Sequence, residues 1–256
     1  MRALLAANWK MHLYPHQAEA LLRELRQLEV EAGAWSFPVV VCPSYLYLPM
    51  AIQLLSGTSY QVGAQNGYPG EFGAYTGEVS MAQLKAVGCT HVIVGHSERR
   101  QYFEERGELL RQKIQDAQRR GLKVIYCVGE TRPQRETGET LSILETQLRE
   151  ALTGIEVIWE NLIIAYEPVW AIGTGLNATP QQAQEAHAFI RGWLRENGAS
   201  ADKIPILYGG SIKPSNAESL FAQPDVDGGL VGGASLVAAD FWAIAAALQK
   251  AKGAPV

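Results

Sequence analysis

Long apolar runs are missing from this 256-residue chain: nowhere do about 18 uncharged apolar residues follow one another, so no membrane-spanning helix is expected. Cysteine is scarce as well. Cys42, Cys89 and Cys127 are odd in number and form no C-x-x-C pair, which argues against a disulfide framework or a zinc cluster and makes a reducing cytoplasm the simplest setting. Charge of one sign is not in excess. With 22 Lys and Arg against 26 Asp and Glu, the net charge of −4 carries no general signal for nucleic acid, and any anion site must be local. The opening MRALLAANWK has a short apolar run but no small-residue cleavage site, so no secretory signal is expected. Heptads, low-complexity tracts and an interdomain linker are also lacking.

What is present is 47% hydrophobic sequence in a length that fits one core, so residues 1–256 read as a single domain. Eight short apolar, β-branched runs recur at 3–8, 38–42, 60–65, 91–95, 123–130, 162–167, 204–210 and 227–233. Continuous rather than alternating runs mark strands buried on both faces, which points to a parallel sheet. Helical patterns lie between them. Over 15–29, Ala18, Leu21, Leu22, Leu25 and Leu28 share one face, as on an outer helix. Thr179 to Gln182 reads as a capping box with proline at the first helical position, and Ser215 to Glu218 as a second box. Eight such units predict an α/β fold of the (β/α)8 barrel type, with an open doubly wound sheet as the competitor. One stretch breaks the rhythm: residues 66–79 form a long Gly-rich connection, either a functional loop or a floppy insertion.

In a barrel, catalytic groups project from the C-terminal ends of strands. The polar residues closing the runs are Asn8 and Lys10, Gln65 and Asn66, His96, Glu130, Glu167, Ser211, and Gly232 with Gly233. Glu167 follows LIIAY and precedes Pro168, and among apolar neighbours desolvation would raise its basicity toward that of a general base. A structural ion pair at a strand end is the plainer alternative. His96 closes HVIVG just before a helix start at Ser97, whose positive end favours a neutral, hydrogen-bonding imidazole over a mere packing residue. His91 opens the same strand and belongs at the opposite, stabilising end. Lys10 could offset a phosphate or an oxyanion. Gly209, Gly210 and Ser211, with Gly232 and Gly233, admit either close backbone contact with an anion or plain tight turns. Residues 168–175 combine an apolar patch with glycines, a composition suited to a lid.

The segments NWKM (8–11), GAQN (63–66), GAYTGE (73–78), GHSERR (95–100), CVGE (127–130), AYEPVWAIGTG (165–175), YGGS (208–211) and GGLVGGASL (228–236) resemble the triosephosphate isomerase family, in the family's order and through nearly the whole chain. The resemblance implies reversible conversion of dihydroxyacetone phosphate and glyceraldehyde 3-phosphate through an enediolate, with no cofactor or metal. It gives Glu167 the role of base, His96 that of electrophile and Lys10 that of charge stabiliser; the pairing of a glutamate base with a neutral histidine is taken over from the family, not inferred from this chain. By the same resemblance Asn8 places substrate, Glu98 supports the catalytic groups, and Gly173, Ser211, Gly232 and Gly233 hold the phosphate. Pro168, Val169, Trp170, Ala171, Ile172, Gly173, Thr174 and Gly175 form the lid. Residues 66–79 would reach a second copy of the chain with a tip near Thr76, Glu78 and Arg99 securing a homodimer. MHLYP after NWK, and VCPSYLYL at 41–48, depart from the family pattern near that interface.

Rival readings are another phosphate-binding barrel, such as an aldolase or a sugar-phosphate epimerase, or an inactive barrel scaffold. An aldolase would want a Schiff-base lysine at a central strand end and an epimerase clustered metal ligands, and the strand ends present neither pattern. Intact Glu167, His96 and Lys10 speak against a scaffold.

Overall fold

A computed structural model of the chain describes residues 3–172 and 177–253. All eight apolar runs become parallel strands: β1 Leu4–Asn8, β2 Val39–Cys42, β3 Tyr60–Ala64, β4 His91–Val94, β5 Lys123–Val128, β6 Leu162–Tyr166, β7 Ile206–Tyr208 and β8 Gly228–Val231. They close in sequence order, β8 pairing back onto β1 with Leu4 opposite Gly228, which decides for the barrel over the open sheet. Side chains alternate across each strand. Leu4, Ala6, Val40, Cys42, Ile93, Ile125, Ile163, Ala165, Leu207 and Leu230 fill the interior. Their neighbours Leu5, Ala7, Val39, Val41, Val92 and Val124 face outward into the layer between barrel and helices. Both faces are dry, and that is why the runs are continuous.

The surrounding helices are α1 Pro15–Ala32, α2 Leu48–Leu54, α3 Met81–Val87, α4 Ser97–Tyr102, α5 Gly107–Arg119, α6 Arg132–Glu136, α7 Thr140–Leu152, α8 Pro180–Glu196, α9 Pro214–Phe221 and α10 Ala238–Lys252. Helix α1 buries Ala18, Leu21, Leu22 and Leu25 as the pattern requires, while Leu28 is only partly covered. Thr179 caps α8, its hydroxyl accepting the Gln182 N–H at 3.2 Å with Pro180 first in the helix. The second predicted box is displaced. Pro214, not Asn216, opens α9, because a proline ring presets the first helical position and has no N–H to leave unpaired. Asn216 then turns back: its Oδ1 accepts the Lys213 N–H at 2.8 Å and its Nδ2 donates to the Ser211 carbonyl at 3.0 Å, shaping the loop after β7.

Residues 65–80 are an arm rather than a slack insertion. The Tyr68 N–H donates to Val79 O and the Met81 N–H to Tyr68 O, at 2.8 and 3.0 Å, stitching the two ends together, and the rings of Tyr68 and Tyr75 lie 4.5 Å apart. At its root a buried cluster that no sequence pattern announced holds the arm. Lys113 Nζ donates to Glu105 Oε1 at 2.5 Å and to Asn66 Oδ1 at 2.8 Å, and Arg99 Nε reaches the same Glu105 oxygen at 2.6 Å.

Candidate active site

The loop after β1 carries Lys10 in a backbone conformation rare for a side-chain-bearing residue, φ 54°. Local hydrogen bonds hold it there. Asn8 Oδ1 accepts the Lys10 N–H at 3.1 Å, and Gln65, from the end of β3, donates Nε2 to the carbonyls of Lys10 and Cys42 at 2.8 and 3.0 Å. Strain of this kind costs about 1–3 kcal/mol and persists only where the surroundings fix it. The result aims Lys10 Nζ at Glu98 Oε1, 2.6 Å away.

Glu167 leaves β6, which is paired on one side with β5 and on the other with β7, with only 1% of its surface exposed. A Cβ at Gly129 would lie 1.7 Å from the Glu167 carbonyl oxygen, and one at Gly209 would lie 2.8 Å from its Cγ. These two positions need glycine so that Glu167 can pass between neighbouring strands. Gly209 is therefore required by packing, and its N–H is already spent on the Tyr166 carbonyl at 2.7 Å, whereas a Cβ at Gly233 would meet nothing within 4 Å and one at Gly232 only Lys10 Cε at 3.5 Å. The glycine pair after β8 thus borders open space beside the lysine.

The Glu167 carboxylate is gripped by the start of α4. Its Oε2 accepts the Ser97 N–H at 2.8 Å, and its Oε1 lies 3.3 Å from the Ser97 hydroxyl and 2.8 Å from His96 Nε2. His96, also buried, caps that helix by accepting the Glu98 N–H on Nδ1 at 3.2 Å, which assigns its ring proton to Nε2. The electrostatics differ from the sequence expectation. Burial raises the Glu167 carboxyl, but the charge and hydrogen bond of His96, then the Ser97 N–H and Lys10, together hold it below the usual carboxylate range. Burial likewise lowers His96, yet the Glu167 charge and hydrogen bond, with Glu98 behind them, raise it above ordinary imidazole. Desolvation predicted a raised carboxyl, and the helix start at Ser97 a neutral ring; contact between the two groups reverses both directions in this arrangement. Ser97 was legible only as a helix start, and its grip on an acid 70 positions away was not.

Beside this pair lies a cavity of about 660 Å³ lined by Asn8, Lys10, His96, Ile172, Ser211, Gly232 and Gly233, with His12 and Lys213 at its margin. The predicted substrate residues Asn8, Lys10, Ser211, Gly232 and Gly233 are thus brought to one place, and the positioning loops follow β1, β7 and β8. Glu98 faces an adjoining cavity with Lys10. Of the predicted lid, Pro168 leads into a 3-10 turn, Val169–Ala171, followed by Ile172; Gly173, Thr174 and Gly175 lie outside the described residues. Glu130, at the end of β5, anchors the turn. Its Oε1 accepts from Trp170 Nε1 at 2.9 Å and from the Tyr166 hydroxyl at 3.0 Å, and its carbonyl accepts the Val169 N–H at 3.1 Å. Thr76 and Glu78 are exposed on the arm, while Arg99 is engaged by Glu105 of its own chain and lies over the Phe103 ring at 4.4 Å. His91 sits at the far end of β4, against Thr90 Oγ1 at 2.8 Å, with burial lowering its pKa to about 3. Among the described residues no group of three His, Cys, Asp or Glu side chains is placed to hold a metal ion, and no helix is long and apolar enough to cross a membrane.

A closed parallel barrel with a carboxylate and an imidazole in contact at its strand ends, next to a lysine and a glycine loop, defines a (β/α)8 enzyme that moves protons on a small anion. The triosephosphate isomerase family model matches residues 3–248. The chain is 49% identical over 243 residues to the triosephosphate isomerase of Caldanaerobacter subterraneus subsp. tengcongensis, covering 94% of this chain and 97% of that protein. It is 50% identical over 248 residues to that of Magnetococcus marinus, covering 95% and 97%, and 45% identical over 251 residues to that of Flavobacterium johnsoniae, covering 96% and 99%. This chain belongs to the triosephosphate isomerase family.

Proposed function

We propose that the chain interconverts glyceraldehyde 3-phosphate and dihydroxyacetone phosphate, with Glu167 as the base, His96 as the electrophile and Lys10 as the charge stabiliser. The observation that carries this reading is the 2.8 Å contact of Glu167 Oε1 with His96 Nε2 beside the cavity bordered by Lys10 and Gly232–Gly233. Glu167 takes the proton from the carbon next to the carbonyl, the C–H electron pair forms the carbon–carbon double bond, and the carbonyl oxygen becomes the enediolate oxygen. His96 Nε2–H donates to that oxygen and passes protons between the two oxygens. The proton then returns from Glu167 to the neighbouring carbon. To do this Glu167 must leave the Ser97 N–H and His96, and shedding those donors restores the basicity that they suppress. With the carboxylate turned to carbon, its raising influence on His96 is gone and the Glu98 N–H on Nδ1 favours the neutral ring. Lys10 offsets phosphate and enediolate charge, Asn8 positions substrate, Glu98 steadies Lys10, and the backbone of Gly173, Ser211, Gly232 and Gly233 holds the phosphate. Pro168 to Gly175 act as the lid, protecting the enediolate from losing phosphate to water. No cofactor takes part in this scheme.

The same reading makes residues 1–256 one domain working as a homodimer in the cytoplasm. Met11, Leu46, Phe72, Tyr102 and Phe103 are large apolar side chains left 62–95% exposed. An adjoining cavity of about 680 Å³, lined by Met11, Tyr45, Tyr102 and Phe103, shares Asn8, Lys10 and His96 with the substrate cavity and would receive the Thr76 tip of a second copy. Cys42, Cys89 and Cys127 are all buried and free, as suits a reducing compartment. A coupled assay with glyceraldehyde 3-phosphate tests the activity: steady formation of dihydroxyacetone phosphate is expected, and its absence from well-folded protein would overturn the proposal.

A further inference from the structure

A second cavity, of about 720 Å³, opens on the other side of Glu167, between the start of α4, the β5–α6 turn, α7 and the turn that begins the lid. It shares no lining residue with the substrate cavity. Val128, Val169, Trp170 and Ile143 give it apolar wall, and Glu167 lies at its inner edge. Three guanidinium groups surround it, and their engagements differ. Arg100 is fully occupied by Gly95 O, the Tyr126 hydroxyl, Cys127 O and Glu150. Arg132 pairs with Glu136 at 2.8 Å. Arg106, exposed at the rim, has no ion-pair partner among the described residues. Since Glu150 answers Arg100 and Glu167 is held by Ser97 and His96, the charge left over in the lining is positive.

We propose that this cavity is a regulatory site for a small organic anion, whose charged group pairs with Arg106 while its apolar body packs on Val169, Trp170 and Ile143. The consequence for turnover follows from the walls. Trp170 is fixed by its hydrogen bond to Glu130 and by Arg135, whose guanidinium sits 5.6 Å over its ring. A ligand packed on the other surface of Val169 and Trp170 stabilises that arrangement against any other, and it hinders the release of Glu167 from Ser97. It therefore slows turnover without competing for the phosphate cradle. This effect rests on the proposed roles of Glu167 and the lid, whereas binding does not.

The test is a calorimetric titration of the full-length protein with 1-naphthalenesulfonate, a flat apolar body with one permanent anion, in buffer saturated with inorganic phosphate to fill the substrate cradle. Saturable binding that persists in phosphate is expected. Thr146→Trp, on the α7 rim, and Arg106→Ala should each weaken it by about tenfold, the first by filling the cavity and the second by removing the charged partner. In the isomerase assay the sulfonate should lower kcat with KM unchanged, Arg106→Ala should turn over normally without it, and Thr146→Trp, which fills the same cavity, should itself show a lowered kcat. Binding abolished by phosphate, equal binding to both variants, or no binding at millimolar sulfonate would overturn the site. Binding with unchanged kcat would overturn the regulatory effect. If the chain proves not to isomerise triose phosphates at all, calorimetry on the two variants still decides the cavity.

Discussion

Glu167 and His96 set each other's protonation, so each should report on the other. In Glu167→Gln the larger of the two carboxylate influences that raise His96 is gone, while burial and Lys10, which lower it, and Glu98, which raises it, remain. NMR titration of that variant should place the His96 transition below its wild-type position; an unmoved transition would mean that the contact does not govern the ring. Stability follows with a definite sign. The Glu167 carboxyl is depressed in the fold, so its contribution is present above the unfolded value of 4.5 and is lost as pH falls through the folded one. His96 is raised, so its contribution is complete below 6.5 and is lost as pH rises through its folded value. These residues were legible because strand-end polar groups stand out after apolar runs. Their contact was not, because β4 and β6 are distant in sequence and meet only across β5 once the barrel closes.

At the scale of elements, the eight strands were readable because every one is buried on both faces. The start of α9 was misplaced by two residues, since the proline rule and the capping-box rule compete there and proline prevails. Nothing in the sequence announced how α8 docks on β7 and β8. Arg191 donates to the carbonyls of Ala201 and Ile204 at 2.6 and 2.7 Å and pairs with Asp225 and Asp227, and Asp227 Oδ2 accepts the Ile206 N–H at 2.9 Å. Arg191→Leu leaves buried Asp227 without its guanidinium and should cost about 3–5 kcal/mol in denaturant unfolding. A change near zero would show that the ion pair is replaceable. On the same helix, burial lowers His187 to about 4, and its Nδ1 lies 3.1 Å from the Asp225 carbonyl. A depressed histidine binds its proton more readily unfolded, so its penalty grows as pH falls from 6.5 and levels off below the folded value, reaching roughly 3 kcal/mol. Unfolding of His187→Gln followed between pH 7 and pH 4 should show a correspondingly shallower loss of stability than the parent.

The whole molecule has an unfinished look on one side. Met11 and the Tyr102–Phe103 pair present exposed apolar surface at the cavity shared by Lys10 and His96, and Leu46 and, on the arm of residues 65–80, Phe72 are exposed as well. Composition gave no hint of it, because these aromatic and aliphatic residues are scattered along the chain and converge only through the barrel's loops. Sedimentation at micromolar concentration should give twice the mass of one chain, and Met11→Asp with Phe72→Asp should give a folded monomer of much reduced turnover. A fully active monomer would remove the second copy from the account. The reaction itself is tested most directly by following glyceraldehyde 3-phosphate in D2O by proton NMR, for the parent and for Glu167→Gln. The account predicts dihydroxyacetone phosphate whose newly protonated carbon carries either the proton returned by Glu167 or the solvent deuteron that replaced it on the carboxyl, and a rate lower by roughly a thousandfold in the variant, the scale of a lost general base. A variant as fast as the parent would contradict proton transfer by Glu167.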